Sequence, residues 1–89
     1  MASEDEFVAA QERVRRLVRQ PAANELLALY GLFKQATVGD VQGKRPGMLD
    51  LKGRAKFDAW QRRKGESREV CQREYAELVR QLEAKYGSR

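Results

Sequence analysis

From Cys71 onward the apolar residues Tyr75, Leu78, Leu82 and Tyr86 follow at intervals of four, three, four and four. That period gathers them on one side of an α-helix and would scatter them over both faces of a strand. Ser67 stands where a cap belongs, and Gly87 where such a helix closes. At about 1.5 Å per residue this fourth helix spans roughly 30 Å, the width of a small domain.

Three earlier segments repeat the pattern. Ser3 and Glu6 have the spacing of a capping box, and Phe7, Ala10, Val14 and Leu17 recur behind them, which predicts helix 1 from about Glu4 to Val18 with Pro21 as its stop. Asn24 is the expected cap of helix 2, where Leu26, Leu29, Phe33 and Ala36 form one stripe and Leu27, Tyr30 and Lys34 the next, up to Gly39. Asp50 is placed to cap helix 3, whose apolar positions Leu51, Ala55 and Ala59, with Phe57 and Trp60, lead to Gly65. Between Gly39 and Lys52 no period is sustained, so about a dozen residues form a connection of the length that serves a function or crosses a whole bundle. No strand pattern or internal repeat is visible. The fold class is therefore all-α, a four-helix bundle of unequal topology in which the long link between helices 2 and 3 returns the chain along the bundle. With 89 residues and 42% hydrophobic content, one compact core and a single domain over residues 1–89 are expected.

The chemistry that is missing narrows the function. The chain has no histidine and one cysteine, so the usual general acid or base near neutral pH and any cysteine–histidine metal site are both excluded. Gly39, Gly43 and Gly47 lack the lysine and the helix register of a phosphate loop. Glu69, Arg73 and Glu77 at successive intervals of four read as a solvated face held by weak ion pairs. Cys71 lies on the apolar stripe and reads as a buried, inert thiol. No secretory signal and no apolar run near the roughly 18 residues of a membrane span are present, and the lone cysteine points to a reducing, intracellular setting.

Charge points to the partner. Residues 13 to 20 hold Arg13, Arg15, Arg16 and Arg19 and no acid, and the stretch from Lys44 to Lys64 holds Arg45, Lys52, Arg54, Lys56, Arg62 and Arg63 against Asp50 and Asp58. The partner is anionic, and charge alone does not separate a phosphate-bearing metabolite from a nucleic acid or a lipid surface. Tyr30 and Lys34 are four apart, so phenol and ammonium share a helix face fit to grip one phosphate, although the same spacing suits a core tyrosine beside a solubilising lysine. Lys56, Phe57 and Trp60 put a cation and two aromatics within one turn, and core packing accounts for the aromatics equally well. Tyr75, in mid-stripe on helix 4, carries the same two readings.

Taken together, the run Tyr30, Gly31, Leu32, Phe33, Lys34, Gln35, Ala36, Thr37, Val38, Gly39, Asp40, then Arg45, Pro46, Gly47, Met48, Leu49, Asp50, then Lys56, Phe57, Asp58, Ala59, Trp60 closely resembles the acyl-CoA-binding protein family, in order and in spacing. The similarity extends from Phe7 to Lys85, Tyr86 and Gly87. It implies an up, down, down, up bundle and a monomeric, cytoplasmic carrier or pool former for long-chain acyl-CoA in lipid metabolism. That carrier would act without catalysis, metal or cofactor, with transient contact to membranes or acyl-CoA-using enzymes and no nucleic-acid partner. By position, the resemblance implies that Tyr30 and Lys34 lie near the nucleotide, with Gly31, Leu32 and Phe33 in the contacting segment. It places Lys56 at the ribose 3'-phosphate, Tyr75 at the same site, and Arg15 where the family commonly has a lysine. Phe33 replaces a common tyrosine and Phe57 a common tryptophan, differences that bear on chain length and affinity rather than on ligand class. The alternative from a different class is a basic helical interaction module that binds nucleic acid or an acidic protein partner.

Overall fold

The computed structural model describes residues 2–89 and contains helices α1 (Ala2–Val14), α2 (Ala23–Thr37), α3 (Leu51–Gln61) and α4 (Arg68–Tyr86), with no strand among the described residues. The expected all-α bundle is the observed one. Helix directions follow from which ends meet. The first turn of α1 lies beside that of α4, where Ser3 and Glu4 line a shallow groove with Arg68 and Gln72, and further on Arg13 Nε donates to Glu83 at 3.0 Å. These two helices are parallel. Glu25 at the start of α2 meets Lys85 and Tyr86 at the end of α4, and Gln35 near the end of α2 donates to the Glu66 carbonyl just before α4, so that pair is antiparallel. α2 and α3 are again parallel, since Leu27 shares a groove with Leu51 and Lys34 reaches Trp60. The order is up, down, down, up, and two parallel neighbours oblige the link over residues 38–50 to travel the length of the bundle.

The core is built by three of the helices. Phe7 and Ala10 of α1, Leu29, Leu32 and Ala36 of α2, and Cys71, Tyr75, Ala76, Val79 and Leu82 of α4 form one buried cluster, joined by Leu17. Of the stripe read on helix 4, Cys71, Tyr75 and Leu82 are buried while Leu78 and Tyr86 are only partly so, and Ala76 and Val79, outside that stripe, complete the buried face. A fully buried side chain such as Val79 or Leu82 contributes about 1.5–3 kcal/mol. α3 adds nothing to this cluster among the described residues. It is held instead by a backbone contact, with Gly31 of α2 against the main chain at Ala59, where an added Cβ would overlap the Ala59 carbonyl.

Element ends depart from the expectations in four places, each for a tertiary or capping reason. Helix 1 ends at Val14 rather than Val18, because residues 17 and 18 pair with the C-terminal tail: Leu17 bridges Ser88, Val18 N–H donates to the Gly87 carbonyl at 3.0 Å, and Arg89 N–H to that of Arg16 at 2.9 Å. Gly87, at φ 82, makes the turn that sends the tail across. At its other end α1 already includes Ser3, so this serine lies within the first turn and not at a cap. Helix 2 is capped at Ala22 rather than Asn24, with Glu25 at the third helical position accepting the Ala22 N–H at 2.8 Å. Only the acidic half of a capping box is thus used, since alanine has no side-chain acceptor. Helix 3 stops at Gln61, and turns bonded from Arg63 N–H to Trp60 and from Lys64 N–H to Gln61 carry the chain to Gly65, at φ 89. The expected caps at Asp50 and Ser67 are present: Asp50 accepts the Gly53 N–H at 2.9 Å and Ser67 the Val70 N–H at 3.1 Å. The ion pairs of α4 run from Glu74 to Arg63, Arg80 to Glu77, Glu83 to Arg13 and Lys85 to Glu25, not along Glu69, Arg73 and Glu77.

A polar clasp fixes the start of the long link. The Asp40 carboxylate accepts the Gly65 N–H and the Gln35 side-chain amide, each at 2.8 Å. These two bonds hold its carboxyl below the usual range, the Gly65 bond most. Gln35 is 2% exposed, so its amide joins the end of α2 to the turn between α3 and α4 inside the fold.

Candidate ligand site across helices 2 and 3

The close contact at Gly31 brings the polar faces of α2 and α3 within side-chain reach, and lysines and aromatics interleave there. Lys34 of α2 sets its Nζ over the Trp60 ring of α3, 4.8 Å from the centroid, while Lys56 of α3 sets its Nζ over the Tyr30 ring of α2 at 5.5 Å. Trp60 is oriented from its other edge, where Nε1 donates to the Gly39 carbonyl at 2.7 Å. Among the described residues no carboxylate pairs with Lys34, Lys52 or Lys56. The nearby acid Asp58 is taken up by Arg45 of the link in a two-point pair at 2.9 and 2.7 Å, which also holds the Asp58 carboxyl below its ordinary range. Positive charge is therefore left available on this face. A lysine over an exposed ring gains about 0.5–1 kcal/mol, less than the roughly 1.5–3 kcal/mol of a hydrogen bond to a charged group, so an arriving phosphate would draw both ammonium groups from the rings.

Beside this polar patch, toward the first turns of both helices, lies an apolar groove of about 340 Å³ lined by Leu26 and Leu27 of α2 and Leu51 and Ala55 of α3, with Lys52 and Lys56 at its rim. Its size falls in the range of small-molecule sites. The sequence reading assigned Leu26 and Leu51 to helix stripes and missed the groove. The signal was the second apolar stripe on helix 2, which is more than one packing face requires.

A second group sits on the other flank of α2. Phe33 packs with Phe7 and Tyr75, with ring centroids 6.0 Å apart for Phe7–Phe33, 5.1 Å for Phe7–Tyr75 and 6.4 Å for Phe33–Tyr75. Burial pushes the Tyr75 phenol up, and the charge of Arg15 works against that shift. Arg15 itself is exposed and lies 3.6 Å from Glu12. The structure therefore brings Tyr30, Lys34 and Lys56 together and adds Trp60 to them. It places Phe33 and Tyr75 in the aromatic group and Arg15 in the turn after α1. Leu32 is a core residue at 2% exposure, and Gly31 serves as the crossing point of α2 and α3.

No group of three or more metal-ligating side chains occurs among the described residues. Cys71 is fully buried and its Sγ donates to the Glu66 carboxylate at 3.2 Å. Burial first, then that hydrogen bond, pushes the thiol up to about 12. No helix among the described residues is long and apolar enough to cross a membrane.

Residues 4–79 match the family model described as acyl CoA binding protein. The chain belongs to the acyl-CoA-binding protein family. It is 52% identical over 83 residues to the acyl-CoA-binding protein homolog of Drosophila melanogaster, covering 93% of this chain and 96% of that one. To acyl-CoA-binding protein homolog 1 of Caenorhabditis elegans it is 49% identical over 82 residues, covering 92% and 95%. Among solved structures, the crystal structure of Oryza sativa acyl-CoA-binding protein 2 superposes with a TM-score of 0.90 at 40% identity, over 96% of this chain and 92% of that one. For this acyl-CoA-binding protein family member, the likeness extends through α2, the link and α3, and so through the two helices that carry the groove and the lysines.

Proposed function

We propose that residues 1–89 act as a single binding domain that takes up long-chain acyl-CoA and serves as an intracellular, cytoplasmic carrier or pool former, without catalysis. The observation that carries this reading is the juxtaposition of an apolar groove and an unpaired lysine pair on one face of α2 and α3. The groove suits the acyl tail, and the lysines suit the phosphates of the coenzyme. We assign Tyr30, Lys34 and Lys56 to the nucleotide and its phosphates, with Trp60 offering a flat apolar wall beside them. Phe33, Tyr75 and Arg15 extend the contact surface toward α1 and α4, and Gly31 with Leu32 supports it from beneath. Transient contact with membranes or acyl-CoA-using enzymes belongs to the same reading, as does a monomeric state.

Magnitudes favour a ligand with two dissimilar halves. Two or three charge-assisted hydrogen bonds at roughly 1.5–3 kcal/mol each, plus about 1–3 kcal/mol for a stacked base, come to about 4–12 kcal/mol, which the estimated 4–15 kcal/mol cost of association largely offsets. Burying about a dozen methylenes at roughly 0.8 kcal/mol each supplies the remainder. Calorimetric titration with palmitoyl-CoA, free CoA and palmitate tests this: palmitoyl-CoA is expected to bind far more tightly than either half. Lys34→Ala and Lys56→Ala are each expected to weaken palmitoyl-CoA binding by about 10- to 100-fold, the equivalent of one charged hydrogen bond, with an unchanged melting temperature. Equal affinity for all three ligands, or wild-type binding by both variants, would contradict the assignment.

A further inference from the structure

The α2–α3 link carries an apolar tip that neither the core nor the groove absorbs. Leu49 is 100% exposed and Met48 77%, and the adjoining Leu51 at the start of α3 is 74% exposed. Other exposed aliphatic side chains, Val8, Val18 and Leu26, lie outside this link, and Val38 stands at its opposite end. Three exposed apolar residues within four positions, two on the link and one opening α3, are different in kind, because contiguous exposed apolar surface marks a contact. The segment from residue 44 to 56 also carries Lys44, Lys52, Arg54 and Lys56, besides Arg45, which is paired with Asp58, and its single acid Asp50 is engaged in capping α3. An apolar tip flanked in sequence by basic side chains complements an anionic lipid surface, where the tip enters the acyl boundary and the bases meet headgroups.

We propose that Met48 and Leu49 insert into the interfacial layer of an anionic membrane and thereby set the open end of the α2–α3 groove against the lipid acyl chains. Leu51 links the two features, since it flanks the tip and lines the groove. An acyl chain leaving the bilayer then meets apolar side chains before it meets water. This inference rests on the carrier reading for its purpose, but the membrane contact stands or falls on its own measurement.

The full chain is sedimented, without acyl-CoA, with vesicles of phosphatidylcholine containing about one-third phosphatidylserine, and with pure phosphatidylcholine vesicles. Binding is expected to the anionic vesicles, to weaken at least about tenfold on pure phosphatidylcholine, and to weaken likewise in roughly 0.5 M salt. Leu49→Glu is expected to reduce vesicle binding by about tenfold or more, while palmitoyl-CoA affinity in vesicle-free solution and the melting temperature stay unchanged. The proposal is overturned if the wild type ignores anionic vesicles or if Leu49→Glu binds them as the wild type does. It is also overturned if the variant loses solution affinity in equal measure, which would place Leu49 in the ligand groove, or if equilibrium sedimentation shows a dimer that the variant dissolves, which would give the tip to a second copy. Vesicle binding sensitive to Leu49→Glu in a protein that fails to bind palmitoyl-CoA would refute the carrier reading and uphold the membrane contact.

Discussion

Gly31→Ala tests whether the site depends on the backbone contact between α2 and α3. In an open helix the substitution stabilises by about 1 kcal/mol, because alanine loses less conformational entropy than glycine. Here the new Cβ would overlap the carbonyl of Ala59, and a main-chain group cannot rotate aside as a flexible side chain can. Restoring carbon contact distances requires α3 to withdraw by roughly 1 Å. Overpacking of this kind costs about 1–3 kcal/mol, so the net change is a loss of about 0–2 kcal/mol after the helix gain. For a domain of this size each kcal/mol lowers Tm by about 4–8 °C. The site is affected more than the fold. The Lys56 to Tyr30 distance is 5.5 Å, and an added ångström carries it past the roughly 6 Å limit of the interaction. Palmitoyl-CoA affinity is expected to drop by about tenfold or more through the displaced lysine and the widened groove. Thermal unfolding followed by circular dichroism, paired with calorimetric titration, reads both effects. A variant with a raised Tm and undiminished affinity would show that the helices do not approach as described.

Acid sensitivity should localise to the junction of α2 and α4. Glu25 accepts from Tyr86, Lys85 and the Ala22 N–H, and these bonds hold its carboxyl at about 2 instead of 4.5. A depressed carboxylate contributes fully above the ordinary value and loses that contribution as pH falls from about 4.5 toward about 2. Glu25→Gln should therefore melt below the wild type near neutral pH, with the gap closing across that window; a constant gap would assign the effect to packing. Cys71 should react with an aromatic disulfide reagent at least about a hundredfold more slowly in the folded protein than in urea, because the reactive thiolate is both buried and disfavoured. Equal rates would place the thiol at the surface.

The helices were legible because each carries its apolar residues at a period no strand can use, and Cys71, Tyr75 and Leu82 of the stripe read on helix 4 are buried, with Val79 rather than Leu78 completing the inner face. Helix ends were less legible where a distant partner decides them. Nothing local to Leu17 reveals that it will bridge Ser88, and Asn24 is a plausible cap until Glu25 takes the Ala22 N–H. The same limit applies at the site. Spacing put Tyr30 and Lys34 on one face, but a helical period does not say which helix lies opposite, so Lys34 over Trp60 and Lys56 over Tyr30 emerged only from the crossing. Leu26 and Leu51 look like core residues in sequence, since an apolar residue carries no mark that distinguishes a groove wall from an interior.

The absence of α3 from the central cluster has a kinetic meaning. A helix that rests on one neighbour is free to open as a separate cooperative unit, at a lower free energy than global unfolding. Amide hydrogens of α3 should then exchange with solvent well before those around Val79 in α4, whose release requires the whole molecule to unfold. Because half of the proposed site rides on α3, each molecule with that helix undocked is incompetent to bind, and the apparent affinity is scaled by the docked fraction. A ligand spanning both helices would slow exchange in α3 most, so the protection it confers measures how tightly binding and docking are linked.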